Sequence, residues 1–550
     1  MKIPAKIAKL SAGLLLAAPL FLQSTLAADS VTLPIAEGKF QPAWESLTNF
    51  NCPQWFRDAK FGIWAHWSAQ CVPEQGDWYA RKMYIEGDSD YKYQVAHYGH
   101  PSKFGFKDID HDWHAENWEP EKLIALYKRA GAKYFMALGN HHDNFDCWNS
   151  KYQPWNSVAI GPHRDIVGDW AKAARAAGLR FGVSLHASHA WNWLEVSQGS
   201  DTNGPLKGVP YDGKLTLADG KGQWWEGLDP QDLYCQNHAP SSSFNWAFDT
   251  TKGSSIPDAA YCVKFFNRVK DLIDSYHPDL VYFDDSVLPL EKVSPTYGLS
   301  MAAHLYNSSA QLHGQNEAIM TCKDLNAMQR EALVYDIERG RAADILPYPW
   351  QTDTCIGNWH YERSLLDKHQ YKTAPTVVRM LCDIVSKNGN LMLNIPVRGD
   401  GTIDYDEQTV LEGIAGWMSV NQECIFGTRP WTIFGEGPSN SQEQKGRFGG
   451  LRDTGKAYTS RDIRFTTKDG NLYAIAMEWP ADGQIVIHSL AKIPGASSTN
   501  TIKKVALLGN KSKLEWTQTE SGLTVKLPAD AKAGYTCVLR VSGKEFKPAS

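Results

Sequence analysis

None of the ten cysteines stands in a C-x-x-C pair, so a zinc knuckle or ribbon is not expected. They are Cys52, Cys71, Cys147, Cys235, Cys262, Cys322, Cys355, Cys382, Cys424 and Cys537, and several sit in apolar runs that read as buried thiols. There is no H-E-x-x-H pair for a metalloprotease helix. No basic run offers itself to nucleic acid and no acidic tail suggests disorder; the net charge is only −5 over 550 residues. Internal repeats and low-complexity tracts are missing. Beyond the N-terminus no apolar run is long enough to span a bilayer.

Aromatic residues are plentiful instead: 21 Trp, 23 Tyr and 20 Phe. They can fill a large core, and their rings can also stack on the apolar faces of sugars. The N-terminus carries Lys2, Lys6 and Lys9, an apolar run from Leu10 to Leu22, and small residues up to Ala27 and Ala28. That pattern predicts a secretory signal over 1–27 and an exported, periplasmic or extracellular protein after cleavage. An exported chain permits disulfides, but a core of this size does not need them.

Strand-like apolar runs recur at 60–67, 133–139, 180–186, 278–283, 318–321, 333–337 and 390–395. Amphipathic helical stretches separate many of them, over 119–130, 165–177, 258–276, 300–313 and 375–386. The alternation predicts an α/β fold: a (β/α)8-like, TIM-type barrel over 28–439, regular or irregular, with a long insertion at about 194–257. The adjacent Trp224-Trp225 predict an ordered rim to a pocket within that insertion. From about residue 440 short alternating segments between Gly, Asp, Asn and Ser turns predict an antiparallel β-sandwich over 440–550.

The chemistry gathers at predicted C-terminal strand ends, the catalytic face of a parallel barrel: His66, His141, His142, His186, Asp284 and Glu338. Adjacent His141 and His142 diverge on a strand, which is poor geometry for one ion, so no metal and no cofactor are expected. Hydrogen bonding to a polyhydroxylated substrate fits the histidines better. Two carboxylates among aromatics point to glycoside hydrolysis, one attacking the anomeric carbon and one protonating the leaving oxygen.

The chain resembles glycoside hydrolase family 29, the α-L-fucosidases. The resemblance rests on KFGIWAHW (60–67), DWY (77–79), AGAKY (130–134), HHDNF (141–145) with Trp148, Arg164-Asp165, 279–284, 387–396 and ECIFGTRPW (423–431). It implies a barrel followed by a β-sandwich, and a retaining mechanism through a covalent glycosyl-enzyme. It implies Asp284 as nucleophile, with His66, Trp78, His141 and His142 holding the sugar and His186 near a further contact. Aromatic rings would enclose the C5 methyl of fucose. Arg341 is placed among the sugar contacts too; paired with Glu338, it or Arg339 would lower that acid's pKa.

Some family members carry a Glu directly after a Trp in the acid/base region, where this chain has Trp350-Gln351. Glu338 is therefore taken as acid/base, with Asp353 second and Glu74 third. The expected partner is a fucosylated oligosaccharide or glycoconjugate, with neither nucleic acid nor membrane. The enzymatic alternative is α-L-galactosidase or mixed activity, because an apolar pocket rejects an added hydroxyl weakly. The alternative of another class is a carbohydrate-binding protein without hydrolytic activity.

Overall fold

The structure, a computed structural model, describes residues 32–241, 244–246, 251, 253–440, 457–492, 501–543 and 546–549. The expected signal segment lies outside the described residues.

Eight parallel strands close a barrel in sequence order: β1 (Phe61–Ala65), β2 (Tyr134–Asn140), β3 (Arg180–Leu185), β4 (Leu280–Ser286), β5 (Ile319–Lys323), β6 (Val334–Asp336), β7 (Trp350–Cys355) and β8 (Gly389–Asn394). β8 returns to β1 with Leu391 opposite Phe61. Most strands are apolar on both faces because one face meets the barrel interior and the other the surrounding helices. Helices Pro120–Arg129, Ile166–Ala176, Ala259–Tyr276, Pro295–His313 and Ala374–Ser386 supply that outer layer. The Asp165 side chain accepts from Gly168 N (2.9 Å) to cap the second of them, and Gly178, at φ +76°, ends it. On one side the barrel is irregular. Only the four-residue helix Gln329–Ala332 separates β5 from β6, and no helix separates β6 from β7.

Seven strands coincide with the apolar runs. β7 is the eighth, and its sequence, WQTDTC, is too polar to read as a buried strand. It is nonetheless buried throughout, because Gln351 and Asp353 find polar partners inside the barrel. Side chains alternate in and out with period two. A lower interior layer therefore holds Trp64, Tyr282, Asp336 and Asp353, and the layer above it, at the C-terminal mouth, holds His66, Asp284, Lys323 and Glu338. Space is tight below: a Cβ on Gly62 would lie 2.5 Å from the Tyr134 ring.

Within 194–257 the described residues form short helical turns and the helix Pro230–Tyr234. Trp224 stacks on His111 (4.2 Å between ring centroids) and donates to Asp108 (2.8 Å), while Trp225 is buried. Neither reaches the central cavity; the tryptophan that this region contributes there is Trp246.

The C-terminal part packs a five-stranded antiparallel sheet against a three-stranded one. Its first strand, β9 (Arg429–Glu436), pairs with β10 (Ile463–Lys468) and so begins before the boundary expected at 439/440. β11 (Asn471–Ala476), β13 (Ile502–Leu507) and β16 (Cys537–Gly543) complete the larger sheet; β12 (Gln484–Ile487), β14 (Glu515–Thr519) and β15 (Gly522–Lys526) form the smaller. One buried charge cluster ties sandwich to barrel. Asp383, on helix Ala374–Ser386, accepts from Arg464 Nε of β10 (2.6 Å) and from Lys387 Nζ (2.9 Å), with Arg341 at 3.8 Å. No helix among the described residues is long and apolar enough to cross a membrane.

Candidate active site

A cavity of about 420 Å³ opens at the C-terminal mouth of the barrel. Six of the expected residues line it together: His66, Trp78, His141, His142, His186 and Asp284, with Glu338 as the seventh. β1, β2, β3 and β4 each deliver their contribution at or just past the strand end. Asparagines fix the backbone at two of these ends. Asn394 Oδ1 accepts from His66 N (2.8 Å), and Asn140 Oδ1 accepts from His186 N (3.1 Å).

Asp284 is held from two sides. Lys323 Nζ donates to its Oδ1 (2.6 Å), His186 Nδ1 lies 3.2 Å from its Oδ2, and His142 Nε2 lies 3.3 Å from the same oxygen. Burial alone would raise its pKa, but Lys323 and the two imidazoles outweigh it and hold the carboxyl well below the usual range. The neighbouring Asp285 faces the other way, accepting from Ser188 Oγ (2.8 Å) and pairing with His189 (2.8 Å).

Glu338 sits just past β6. The ladder continues there, with Ile337 N donating to Gln351 O (2.9 Å) and Arg339 N to Asp353 O (2.8 Å), so the Glu338 side chain keeps the inward direction. Lys323 is its partner, with Nζ donating to Glu338 Oε2 at 2.5 Å. Burial pushes the Glu338 carboxyl up to about 7; Lys323 opposes this, and the charges of Asp353 and Asp284 add to it. The ammonium shared between both acids caps the separation of Asp284 Oδ1 and Glu338 Oε2 at 5.1 Å.

Three further expected residues stay outside the cavity. Asp353 is fully buried one layer below, where Tyr282 Oη donates to its Oδ2 (3.0 Å). Glu74 pairs with Arg398 (3.0 Å). Arg341 donates to Tyr458 Oη (2.8 Å) and faces Asp383; its neighbour Arg339, turned by a positive φ of 47°, lines the cavity instead and lies over Trp359 (4.6 Å). Gln351, at the place where a Glu was sought, donates to Asp336 Oδ1 (2.9 Å) in the interior and does not face the cavity.

Lys323 is the residue that the sequence reading missed. The apolar run predicts a strand end at Thr321, two residues short of the observed end at Lys323. Asp77, Trp246 and Trp359 complete the wall around the histidines, and His360 pairs with Asp77 (2.8 Å).

His66, Asp77, His141 and His360 stand close enough to surround one cation. Their hydrogen-bond directions speak against it. Gln70 Nε2 donates to the acceptor Asp143 Oδ2 (2.8 Å) and to His141 Nδ1 (2.8 Å), which puts the His141 proton on Nε2, facing the cavity. His360 Nδ1 points its own proton at Asp77 Oδ1 (2.8 Å). Two of the four, His141 and His360, therefore present N–H donors where a metal needs lone pairs. Burial drives the pKa values of His66 and His141 well below the ordinary value, and that of His186 to about 4, so these rings are neutral. Both ring nitrogens of His66 and Nε2 of His186 are buried without a protein partner.

Residues 27–423 match the family model "Alpha-L-fucosidase", and residues 456–541 match "Alpha-L-fucosidase C-terminal domain". The chain is 27% identical to tissue alpha-L-fucosidase of Rattus norvegicus over 517 residues, 92% of each chain. It is 26% identical to the alpha-L-fucosidase of Branchiostoma floridae, covering 92% of this chain and 96% of the other. Among solved structures, Thermotoga maritima alpha-fucosidase in complex with fucose superimposes with a TM-score of 0.63 at 25% identity, over 91% of this chain and 100% of that one. A closed parallel barrel, a C-terminal sandwich and a carboxylate pocket walled by histidine and tryptophan thus coincide with a family match over most of the chain, and the protein belongs to the α-L-fucosidase family of glycoside hydrolases.

Proposed function

We propose that this chain is an exported, retaining exo-α-L-fucosidase, with Asp284 as nucleophile and Glu338 as acid/base. The observation that carries the reading is the sharing of Lys323 by the two carboxyl groups, whose nearest oxygens are no more than 5.1 Å apart. Retaining glycosidases keep their acids about 5–5.5 Å apart, whereas inverting ones need about 6.5–9.5 Å to admit a water. The two acids are also pushed in opposite directions, Asp284 towards the carboxylate and Glu338 towards the acid, as a nucleophile and a proton donor require.

In the first step Asp284 attacks the anomeric carbon while Glu338 gives its proton to the departing glycosidic oxygen. The glycosyl ester to Asp284 removes that carboxylate's charge, and Lys323 then pairs with the newly ionised Glu338. In the second step Glu338 takes a proton from water, which attacks the same carbon and frees Asp284. The His141 Nε2–H and the unpartnered nitrogens of His66 and His186 would meet the sugar hydroxyls, and Trp78, Trp246 and Trp359 would wall its apolar faces. A cavity of this size takes a single sugar ring, which favours action on chain ends. Export rests on the N-terminal segment 1–27.

The test is hydrolysis of a nitrophenyl α-L-fucoside followed by proton NMR. The first product formed should be the α-anomer of fucose, and Asp284→Ala should be inert. The β-anomer appearing first would sink the retaining assignment. Wild-type protein inert on aryl and natural fucosides alike, yet still binding fucose, would leave the carbohydrate-binding reading.

A further inference from the structure

Two buried carboxyl groups have no part in these steps. Asp336 ends β6 and Asp353 lies in β7, at 1% and 0% exposure. Each has one oxygen accounted for. Asp336 Oδ1 accepts from Gln351 Nε2 (2.9 Å), whose Oε1 accepts from Tyr134 Oη (3.1 Å), and Asp353 Oδ2 accepts from Tyr282 Oη (3.0 Å). The other two oxygens, Asp336 Oδ2 and Asp353 Oδ1, meet no N–H or hydroxyl donor. Yet the two side chains are within hydrogen-bond reach of each other. Two ionised carboxylates would repel strongly in such a place. One proton between them satisfies both orphan oxygens at once.

We infer that Asp336 and Asp353 form a hydrogen-bonded acid–carboxylate pair, with Asp336 protonated, whose single negative charge sets the ionisation of Glu338. This rests on the reading of Glu338 as acid/base. Burial and the charge of Asp353 hold the Asp336 carboxyl well above the usual range, which places the proton on Asp336. Asp353 is the partner that acts on both Lys323 and Glu338. Period two along β6 puts Asp336 directly beneath Glu338.

The charged groups facing the pair are few. The cation is Lys323 on β5, while Arg339, after β6, donates to Cys355 Sγ (2.7 Å) and lies over Trp359. The acids are Asp284 and Glu338. The phenols Tyr134 and Tyr282 and the Cys322 thiol, all pushed up by burial, stay neutral. A fixed negative charge below Glu338 favours its protonated form, so the acid remains a donor to higher pH. Because the pair holds its proton, that charge does not change over the working range. Asp336 and Asp353 are thus positioning residues for the proton donor.

The test uses the full-length protein, with Asp353→Asn and Asp336→Asn compared. Asp353→Asn removes the charge, and the alkaline limb of kcat/KM against pH should fall by roughly one pH unit or more. Asp336→Asn keeps an N–H donor for Asp353 and should leave that limb in place. Infrared difference spectra of wild type against Asp336→Asn should show the loss of one protonated-carboxyl C=O band that persists at pH 7 in wild type. That band does not depend on turnover, so it decides the pair even if the fucosidase reading fails. Absence of the band overturns the pair. A band present with the limb unmoved in folded Asp353→Asn overturns its influence on Glu338. A limb moved by Asp336→Asn alone overturns the placement of the proton.

Discussion

Replacing Lys323 by methionine keeps the length of the side chain and removes one charge from between two acids. Lys323 Nζ lies 2.6 Å from Asp284 Oδ1 and 2.5 Å from Glu338 Oε2. At an effective dielectric of about 20, opposite charges about 4 Å apart attract by about 4 kcal/mol, equivalent to about three pKa units. The lost ammonium had lowered both pKa values, so both rise in the variant. Asp284 then ionises only at higher pH, and the acid limb of kcat/KM moves up by about two units or more. Glu338 keeps its proton longer, so the alkaline limb moves the same way. The whole bell shifts to alkaline pH, and below the raised acid limb activity falls about tenfold with each further pH unit. The assay is kcat/KM on an activated aryl α-L-fucoside across about pH 4 to 9, with a melting curve at each pH to confirm folding. If the acid limb stays in place in the folded variant, the bridging lysine does not hold Asp284 ionised, and the electrostatic account of the site is wrong.

Other changes probe separate parts of the arrangement. Glu338→Ala should slow natural substrates by about 10³-fold or more, yet retain much of the first step on a dinitrophenyl fucoside and recover turnover with azide; recovery in Asp353→Ala alone would transfer the role. Gln70→Leu frees His141 from the amide that fixes its tautomer, and should raise KM more than it lowers kcat, costing about 10-fold in kcat/KM. Arg464→Met leaves Asp383 buried beside Lys387 without its strongest partner, and should destabilise the fold by about 3–5 kcal/mol in denaturant melts. Burial would raise the Asp383 pKa, but Arg464, Lys387 and Arg341 bring it to about 2. Its contribution of about 2 kcal/mol is therefore full above the unfolded carboxyl pKa of about 4, and is lost as pH falls from there through about 2. Acid melts of wild type and Asp383→Asn should converge below that window.

Seven of the eight barrel strands were legible because both faces of each meet apolar partners. β7 was not, since its Gln351 and Asp353 look like loop residues until Asp336 and Tyr282 are placed beside them by the closure of the barrel. The same holds at the mouth. Asp284 could be read from an apolar run ending in an acid, and the histidines from their strand ends. The link between Asp284 and Glu338 could not, because it passes through Lys323 on a third strand. Arg339 and Arg341 are two residues apart, and only the turn after β6 decides that the first faces the cavity and the second Asp383. Trp224-Trp225 is a composition signal without a direction; Trp224 packs on His111 and Trp225 is buried, both away from the pocket, which Trp246 reaches.

The Asp383 cluster bears on how the two parts of this chain could be separated. A portable module presents to its neighbour a surface that water can replace. Here the sandwich contributes Arg464 to a buried carboxylate on helix Ala374–Ser386 of the barrel, and Arg341, two positions from a cavity residue, leans on the same acid. Cutting the chain after the barrel would strand that charge in a dry site at the root of β8. The sandwich is therefore better regarded as a keystone than as an attachment. Shuffling it between relatives should succeed only where arginine and aspartate travel together.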